Sequence, residues 1–255
     1  MTEPRSPGGA RPDGRPLLVQ IPWSHNCVKV RAALETKGID YDIENVPPTD
    51  RRDVLEHSGQ PLVPALVHGG KSISDSTAIL LYLEEATPAH WPSAPRLLPD
   101  DPAQRAECLI LEDWADEAFM AVTRRLAYAQ IMSEPGRLSG MFFPGASGLN
   151  RRLKENLTKR LVSKRFGITP SRTERDIEMA GSKAALAVAR LGGRRYLVGD
   201  RLSIADIALA AMTWPLGAAP AAVAERPEVA ALLAWGAPIL GDAPAGAISS
   251  PAESP

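Results

Sequence analysis

The residues best placed to do chemistry lie in the run Pro22-Trp23-Ser24-His25-Asn26-Cys27-Val28-Lys29-Val30-Arg31-Ala32-Ala33-Leu34. Ser24 and Cys27 are spaced as the two sulfurs of a Cys-x-x-Cys redox pair, with a hydroxyl where the first sulfur would stand. A hydroxyl forms no disulfide. At a helix N-terminus it donates a hydrogen bond to a thiolate carried by another molecule, and the free N–H groups and the helix dipole help hold that negative charge. The chemistry implied is activation of a thiol that a bound cofactor brings. A second reading makes Cys27 itself the nucleophile of a thiol oxidoreductase. The plainer readings are that Ser24 only caps a helix and that Cys27, one turn inside that helix, only packs. His25 beside them meets either a ligand or solvent.

The neighbouring sequence supplies the elements that must hold this corner. Leu17-Leu18-Val19-Gln20-Ile21 is an apolar strand, and a helix over about 26–37 presents Val30, Ala33 and Leu34 on one face before Gly38 stops it. Tyr41 to Val46 alternates as a half-buried strand does, and Pro47-Pro48 ends it. Thr49 to His57 is a short helix or loop. Pro61 to His68 is a strand with Pro64 near its start, Gly69-Gly70 is a two-residue hairpin turn, and Lys71-Ser72-Ile73 returns. Ser74-Asp75-Ser76 caps a helix whose apolar side is Ala78, Ile79, Leu81, Tyr82 and Leu83. Strand, helix, strand, short helix, hairpin, helix is an α/β order, with a parallel crossover first and an antiparallel pair last.

The proline-rich stretch 87–99 reads as a linker. Beyond it the chain is all-helical. Asp101-Pro102 opens a long helix reaching about Met132 with Trp114 and Tyr128 on it, Ser133 to Gly148 reads as a loop, and Leu149, Leu153, Leu157 and Leu161 form a stripe at every fourth residue. Arg151, Arg152, Lys154, Lys159, Arg160, Lys164 and Arg165 surround that stripe, either as a solvated face or as a site for phosphate or a polyanion. Ser171-x-x-Glu174 reads as a capping box for a helix closed by Gly192-Gly193. Ser203-Ile204-Ala205-Asp206 reads as a second, with Leu202 and Ile207 at the staple positions. A last helix runs from about Pro227 to Trp235. Trp114, Tyr128 and Trp214 line a hydrophobic pocket or belong to the core.

The chain has 255 residues, enough for two domains, and a formal net charge of −1, which argues against broad attraction to nucleic acid or a membrane surface. Its two cysteines, far apart, give no disulfide framework and suit a reducing cytoplasm. No apolar run approaches the roughly 20 residues that span a bilayer. His57, His68 and His90 show no ligand spacing, so no metal site is expected. The boundaries that follow are a disordered tail over 1–15, an α/β domain over 16–86, a linker over 87–100, a helical domain over 101–243 and a second disordered tail over 244–255.

Three motifs together carry a resemblance to the glutathione S-transferase superfamily over about residues 17–240. They are Ser24 to Leu34; Val63-Pro64-Ala65-Leu66 followed by Asp75-Ser76-Thr77-Ala78-Ile79-Leu80-Leu81-Tyr82-Leu83; and Leu197-Val198-Gly199-Asp200-Arg201-Leu202-Ser203-Ile204-Ala205-Asp206. The resemblance implies a thioredoxin-like first domain that binds glutathione as co-substrate and an all-α second domain that shapes the pocket of a hydrophobic electrophile. It implies that Ser24 activates the glutathione thiol, and that Val63, ahead of a cis Pro64, pairs main chain to main chain with the cysteinyl part. It assigns Asp75 and Ser76 to the γ-glutamyl end. Gln60 is a further polar candidate on the same rim. The sequence departs from the common pattern at His25-Asn26, where a proline–aromatic pair is usual. The extended segment from Leu138 to Ser171 looks like bacterial and fungal transferases related to β-aryl-ether-cleaving enzymes. The implied protein is a cytoplasmic homodimer that conjugates or cleaves small electrophiles in detoxification. A non-catalytic binding or assembly protein on the same fold is the remaining alternative.

Overall fold

The computed structural model describes residues 14–145 and 147–244. The two expected tails lie outside the described residues, except for Gly14, Arg15 and Pro244. The chain divides into two compact units, one running to Asp100 and taking in the segment from Leu240, the other covering Asp101 to Ile239.

In the first unit β1 (Leu17–Gln20), α1 (His25–Thr36), β2 (Asp42–Asn45), α2 (Arg52–Ser58), β3 (Ala65–His68), β4 (Lys71–Ser74) and α3 (Ser76–His90) follow one another. The strands form one mixed sheet in the order β2-β1-β3-β4. β1 runs parallel to β2 and antiparallel to β3, and β3 and β4 are antiparallel. The central strands β1 and β3 are buried along their whole length and apolar up to Gln20 and His68 at their ends, as strands covered on both faces are. Leu17, Val19, Ile21, Ala65 and Val67 pack with Val46 and Val54 on one side. Leu18 and Leu66 point the other way and are buried. Gly69 and Gly70 both take positive φ, 57° and 75°, which a tight hairpin demands and a side chain resists.

Buried charge fastens the helices of this unit. Lys37 pairs with Glu84 at 2.6 Å and donates to Thr87 Oγ1 at 3.0 Å, while the Leu97 and Leu98 N–H groups donate to the same carboxylate. Burial works against ionising Glu84, but Lys37 and the Leu97 N–H outweigh it and hold the carboxyl below its ordinary range. Arg31 donates to the carbonyls of Pro22 and Ala243 and to Gln20, tying the C-terminal segment to this unit. α3 continues to His90 through Pro88, so the stretch expected as a linker from residue 87 begins as the last turn of a helix.

The second unit is helical: α4 (Pro102–Asp113), a π-helical turn Trp114–Phe119, α5 (Met120–Ser133), α6 (Arg137–Phe142), α7 (Gly148–Phe166), α8 (Pro170–Leu191), α9 (Ile204–Thr213), a 3₁₀ turn Trp214–Ala218, α10 (Ala221–Ala224) and α11 (Pro227–Leu240). Three expectations change here. The stretch expected as a loop between 133 and 148 contains α6. α8 starts two residues early, with Thr169 as N-cap accepting from Arg172 N–H and Pro170 in the first turn, so Ser171 is inside the helix and caps nothing. The leucine stripe of α7 faces outward, Leu149 being 84% exposed, and the helix buries Glu155, Thr158 and Val162 instead. Glu155 accepts from Gly136 N–H and Ser139 Oγ. Those polar contacts, invisible to hydrophobic periodicity, set the helix's rotation. Asp206 behaves as a cap residue: its carboxylate accepts from Ser203 N–H, Ser203 Oγ and Leu197 N–H at 2.7–2.8 Å.

Candidate functional site

Strand register brings the candidate residues together. Val19 lies opposite Ala65, and Ala65 opposite Ser74. The chain leaves β1 just past this row and turns through Pro22 and Trp23 to Ser24. Pro64 stands immediately before Ala65, and Asp75-Ser76 immediately after Ser74. Ser24, Val63-Pro64 and Asp75-Ser76 therefore share one end of the sheet, although up to fifty-two residues separate them in sequence (24 to 76).

Ser24 is the residue before α1, in extended conformation at φ −74° and ψ 120°, and its side chain makes no cap hydrogen bond. Its main chain fixes the corner: Ser24 N–H donates to Ile21 O at 3.0 Å and Ser24 O accepts from Val28 N–H at 2.9 Å. Its hydroxyl lies against the Cys27 sulfur. Capping thus fails to explain the side chain. Cys27 is fully buried. Burial pushes its thiol up to about 11, against the pull of the Ile21 main chain and the Ser24 hydroxyl. Such a thiol stays protonated at neutral pH. His25 is buried rather than turned to solvent.

The Val63–Pro64 peptide bond is cis. Neither the N–H nor the C=O of Val63 has a hydrogen-bond partner among the described residues, although β3 starts two residues later. Val63 is half-buried, so this is an open rung at the sheet's end. Gln60 accounts for the neighbouring loop: its side-chain oxygen accepts from Leu62 N–H and its amide donates to Leu62 O, both at 2.7 Å.

Asp75 has φ +76°, the one positive value at a non-glycine residue among those described. A side chain in the left-handed region costs about 1–3 kcal/mol, and such strain gathers at functional positions. Its carboxylate accepts from Ala78 N–H at 3.0 Å and starts α3. Ser76 follows, buried, at the positive pole of that helix. Lys29, a residue that sequence reasoning did not single out, reaches this point from α1. It is fully buried, and its Nζ donates to Ser76 Oγ at 3.3 Å and Thr77 Oγ1 at 3.0 Å. The available signal was a lysine amid the apolar Val28, Val30 and Ala33. Together Lys29, the α3 N-terminus and the Asp75 carboxylate offer complementary charges to an ammonium–carboxylate pair.

Comparison with known proteins shows the family. Residues 18–91 match the family model described as glutathione S-transferase, N-terminal domain, and residues 158–236 match that of the glutathione S-transferase C-terminal domain. Protein LigF of Sphingobium sp. strain SYK-6 is 30% identical over 189 residues, 71% of each chain. The chain belongs to the glutathione S-transferase family. Membership brings glutathione as co-substrate and a glutathione-dependent transferase or lyase chemistry on small molecules. A wheat glutathione S-transferase is 41% identical over 77 residues, which is 30% of this chain and 36% of that protein. Among solved structures, a transferase from Rhodospirillum rubrum superposes with a TM-score of 0.62 at 26% identity, covering 89% of this transferase and 91% of that chain. The LigF crystal structure, described as a beta-etherase, gives a TM-score of 0.61 at 22% identity over 86% of this chain and 98% of its own.

No helix among the described residues of this transferase is long and apolar enough to cross a membrane. His68, separated in sequence from Tyr82, His90 and Trp91, joins them in one cluster, with its Nδ1 2.7 Å from the Tyr82 hydroxyl and its ring stacked on Trp91.

Proposed function

We propose that this transferase activates the glutathione thiol with Ser24 and delivers it to an electrophilic small molecule, by conjugation or by cleavage of an ether. The observation that carries this reading is the open main-chain rung at Val63, at the same end of the sheet as the Ser24 corner and the Asp75-Ser76 turn. A peptide-like ligand laid along Val63 completes the ladder with its cysteinyl main chain. Its α-ammonium then meets Asp75, and its α-carboxylate meets Ser76 at the α3 N-terminus, with the Lys29 charge behind it. Gln60 acts indirectly, by holding Leu62 and so the approach to Val63.

The energetics are modest. A free thiol titrates near a pKa of about 8.5, and lowering that by about 2 units needs roughly 2.7 kcal/mol of preference for the thiolate. One hydroxyl hydrogen bond to a charged group supplies about 1.5–3 kcal/mol, and a helix terminus about 0.3–1 kcal/mol. Rotation of Ser24 about χ1 exchanges the Cys27 sulfur for the incoming one. The thiolate attacks the electrophilic carbon, and the leaving group departs with the bonding pair. Cys27 belongs to the packing: its burial and raised pKa oppose a role in thiol–disulfide exchange. Ether cleavage is favoured among the outcomes by similarity to LigF. A cytoplasmic, dimeric detoxifying enzyme is the setting this reading implies.

The test combines glutathione titration with turnover of chlorodinitrobenzene by the full chain. Ser24→Ala is expected to lower kcat/KM about 10- to 100-fold, the worth of one charged hydrogen bond. Cys27→Ala is expected to change it little. The reverse pattern, with activity on mixed disulfides, would establish the oxidoreductase. Absence of glutathione binding in the wild-type chain would leave a binding or assembly module.

A further inference from the structure

Arg124 and Arg125 sit side by side on α5, and the structure treats them differently. Arg125 forms a two-point pair with Asp176 of α8, Nε to Oδ2 at 2.6 Å and an outer nitrogen to Oδ1 at 2.7 Å. Arg124 is half-buried and has no hydrogen bond or ion pair among the described residues; its Nε is closed off from solvent with no partner there. An arginine left this way bears a desolvation cost that no hydrogen bond or ion pair among the described residues offsets.

Its surroundings are aromatic and cationic. The guanidinium carbon lies 4.4 Å from the centre of the Phe166 ring at the end of α7. Tyr128, one turn further along α5, stacks on the same ring at 5.3 Å with planes 14° apart. Arg165 stands 5.7 Å from that ring and is exposed. The charged groups acting on Arg124 are Arg125 and Arg165, which repel it, and Glu117, together with the Tyr128 hydroxyl. Burial is the main reason its pKa falls below the usual arginine value. Phe166 and Tyr128 are only half-buried, so the cluster reaches the surface. It follows the π-helical turn Trp114–Phe119, and such turns recur at functional positions.

We infer that Arg124, seated on the Phe166–Tyr128 stack with Arg165 beside it, is the binding site for the carboxylate of an aromatic small molecule. A carboxylate accepts two parallel hydrogen bonds from the outer nitrogens of a planar guanidinium. Arg165 adds a second positive charge, and Tyr128 and Phe166 offer apolar surface to the attached ring. Calling that molecule the electrophilic substrate rests on the proposed glutathione reaction; the site itself does not.

The test is calorimetric titration of the full chain with benzoate, with its neutral counterpart benzamide and with inorganic phosphate. Benzoate is expected to bind at least about 10-fold more tightly than benzamide and to outcompete phosphate, because a tetrahedral anion lacks the ring. Arg124→Met keeps the stem and removes the fork. It is expected to weaken benzoate about 10- to 100-fold, to leave benzamide unchanged, and to melt no lower than wild type, since the unpaired cation is gone. Arg124→Lys is expected to recover only part of the loss. Equal affinity for benzoate and benzamide, unchanged benzoate affinity in Arg124→Met, or phosphate binding as tight as benzoate would each overturn the inference. Turnover separates the two proposals: Arg124→Met should lower kcat/KM for chlorodinitrobenzoate about 10-fold relative to its methyl ester. Benzoate binding with no turnover of either compound would sink the glutathione reaction and leave the anion site standing.

Discussion

Of the serines that precede helices in this protein, Ser24 and Ser203 each have the hydroxyl beside a buried cysteine. Ser203 precedes α9 and touches Cys108; Ser24 precedes α1 and touches Cys27. Both thiols are fully buried, and burial raises both pKa values. The proton of Ser203 goes to Asp206 Oδ2 at 2.7 Å, and Asp206 also receives Ser203 N–H and Leu197 N–H. Ser24 has no such acceptor three residues on: that position is Cys27 itself, a weak acceptor. One corner is closed on itself and serves the fold. The other keeps a donor that a better acceptor can capture, beside an unpaired stretch of strand. The same residue at the same helix position thus has two different hydrogen-bond surroundings, and the residue at the third helical position separates them.

The contrast can be broken most sharply at Asp206. Asp206→Ala strands three donors at once and is expected to cost about 3–5 kcal/mol, read by urea unfolding; a loss under about 1 kcal/mol would mean that the closed corner carries little. Next is the pH response of the open corner. The Cys27 thiol has a folded pKa of about 11 against an ordinary 9.0. A raised folded pKa gives stability that is whole below the unfolded value and lost as pH climbs through the folded one. Stability should therefore fall between pH 9 and pH 11, by up to about 2.7 kcal/mol, through this group. Cys27→Ala should remove that component of the slope, and identical slopes in the two proteins would refute the assignment. Ser24→Ala should shift the unfolding free energy by no more than about 0.5 kcal/mol, since the side chain caps nothing. A large destabilisation would show the corner to be structural after all. Ser203→Ala, at the closed corner, should cost about 1 kcal/mol of stability with kcat/KM unchanged.

Much of the fold was legible locally. Gly69-Gly70 dictated a hairpin, Asp101-Pro102 a helix start, and Ser203 to Asp206 a cap, because each depends on groups within a few residues of one another. The Ser24 corner was legible for the same reason, as an unusual pair at a redox spacing. The outward face of the α7 leucines was not, because Gly136 N–H and Ser139 Oγ turn Glu155 inward from another element. Lys29 was not legible because its partners, Ser76 and Thr77, lie a strand, a helix and a hairpin away.

The sequence by itself determined the hairpin at Gly69-Gly70, the helix start at Asp101-Pro102 and the cap from Ser203 to Asp206, and it set Ser24 and Cys27 at a redox spacing. Capping, turn formation and helical periodicity act over three or four residues, and those are written in order along the chain. Only the tertiary structure decided that Ser24 is left uncapped, that Val63 and Asp75 share its end of the sheet, and that Arg124 lacks the carboxylate its neighbour Arg125 has. Those outcomes depend on strand register and on the rotation of packed helices, which set partners dozens of residues apart.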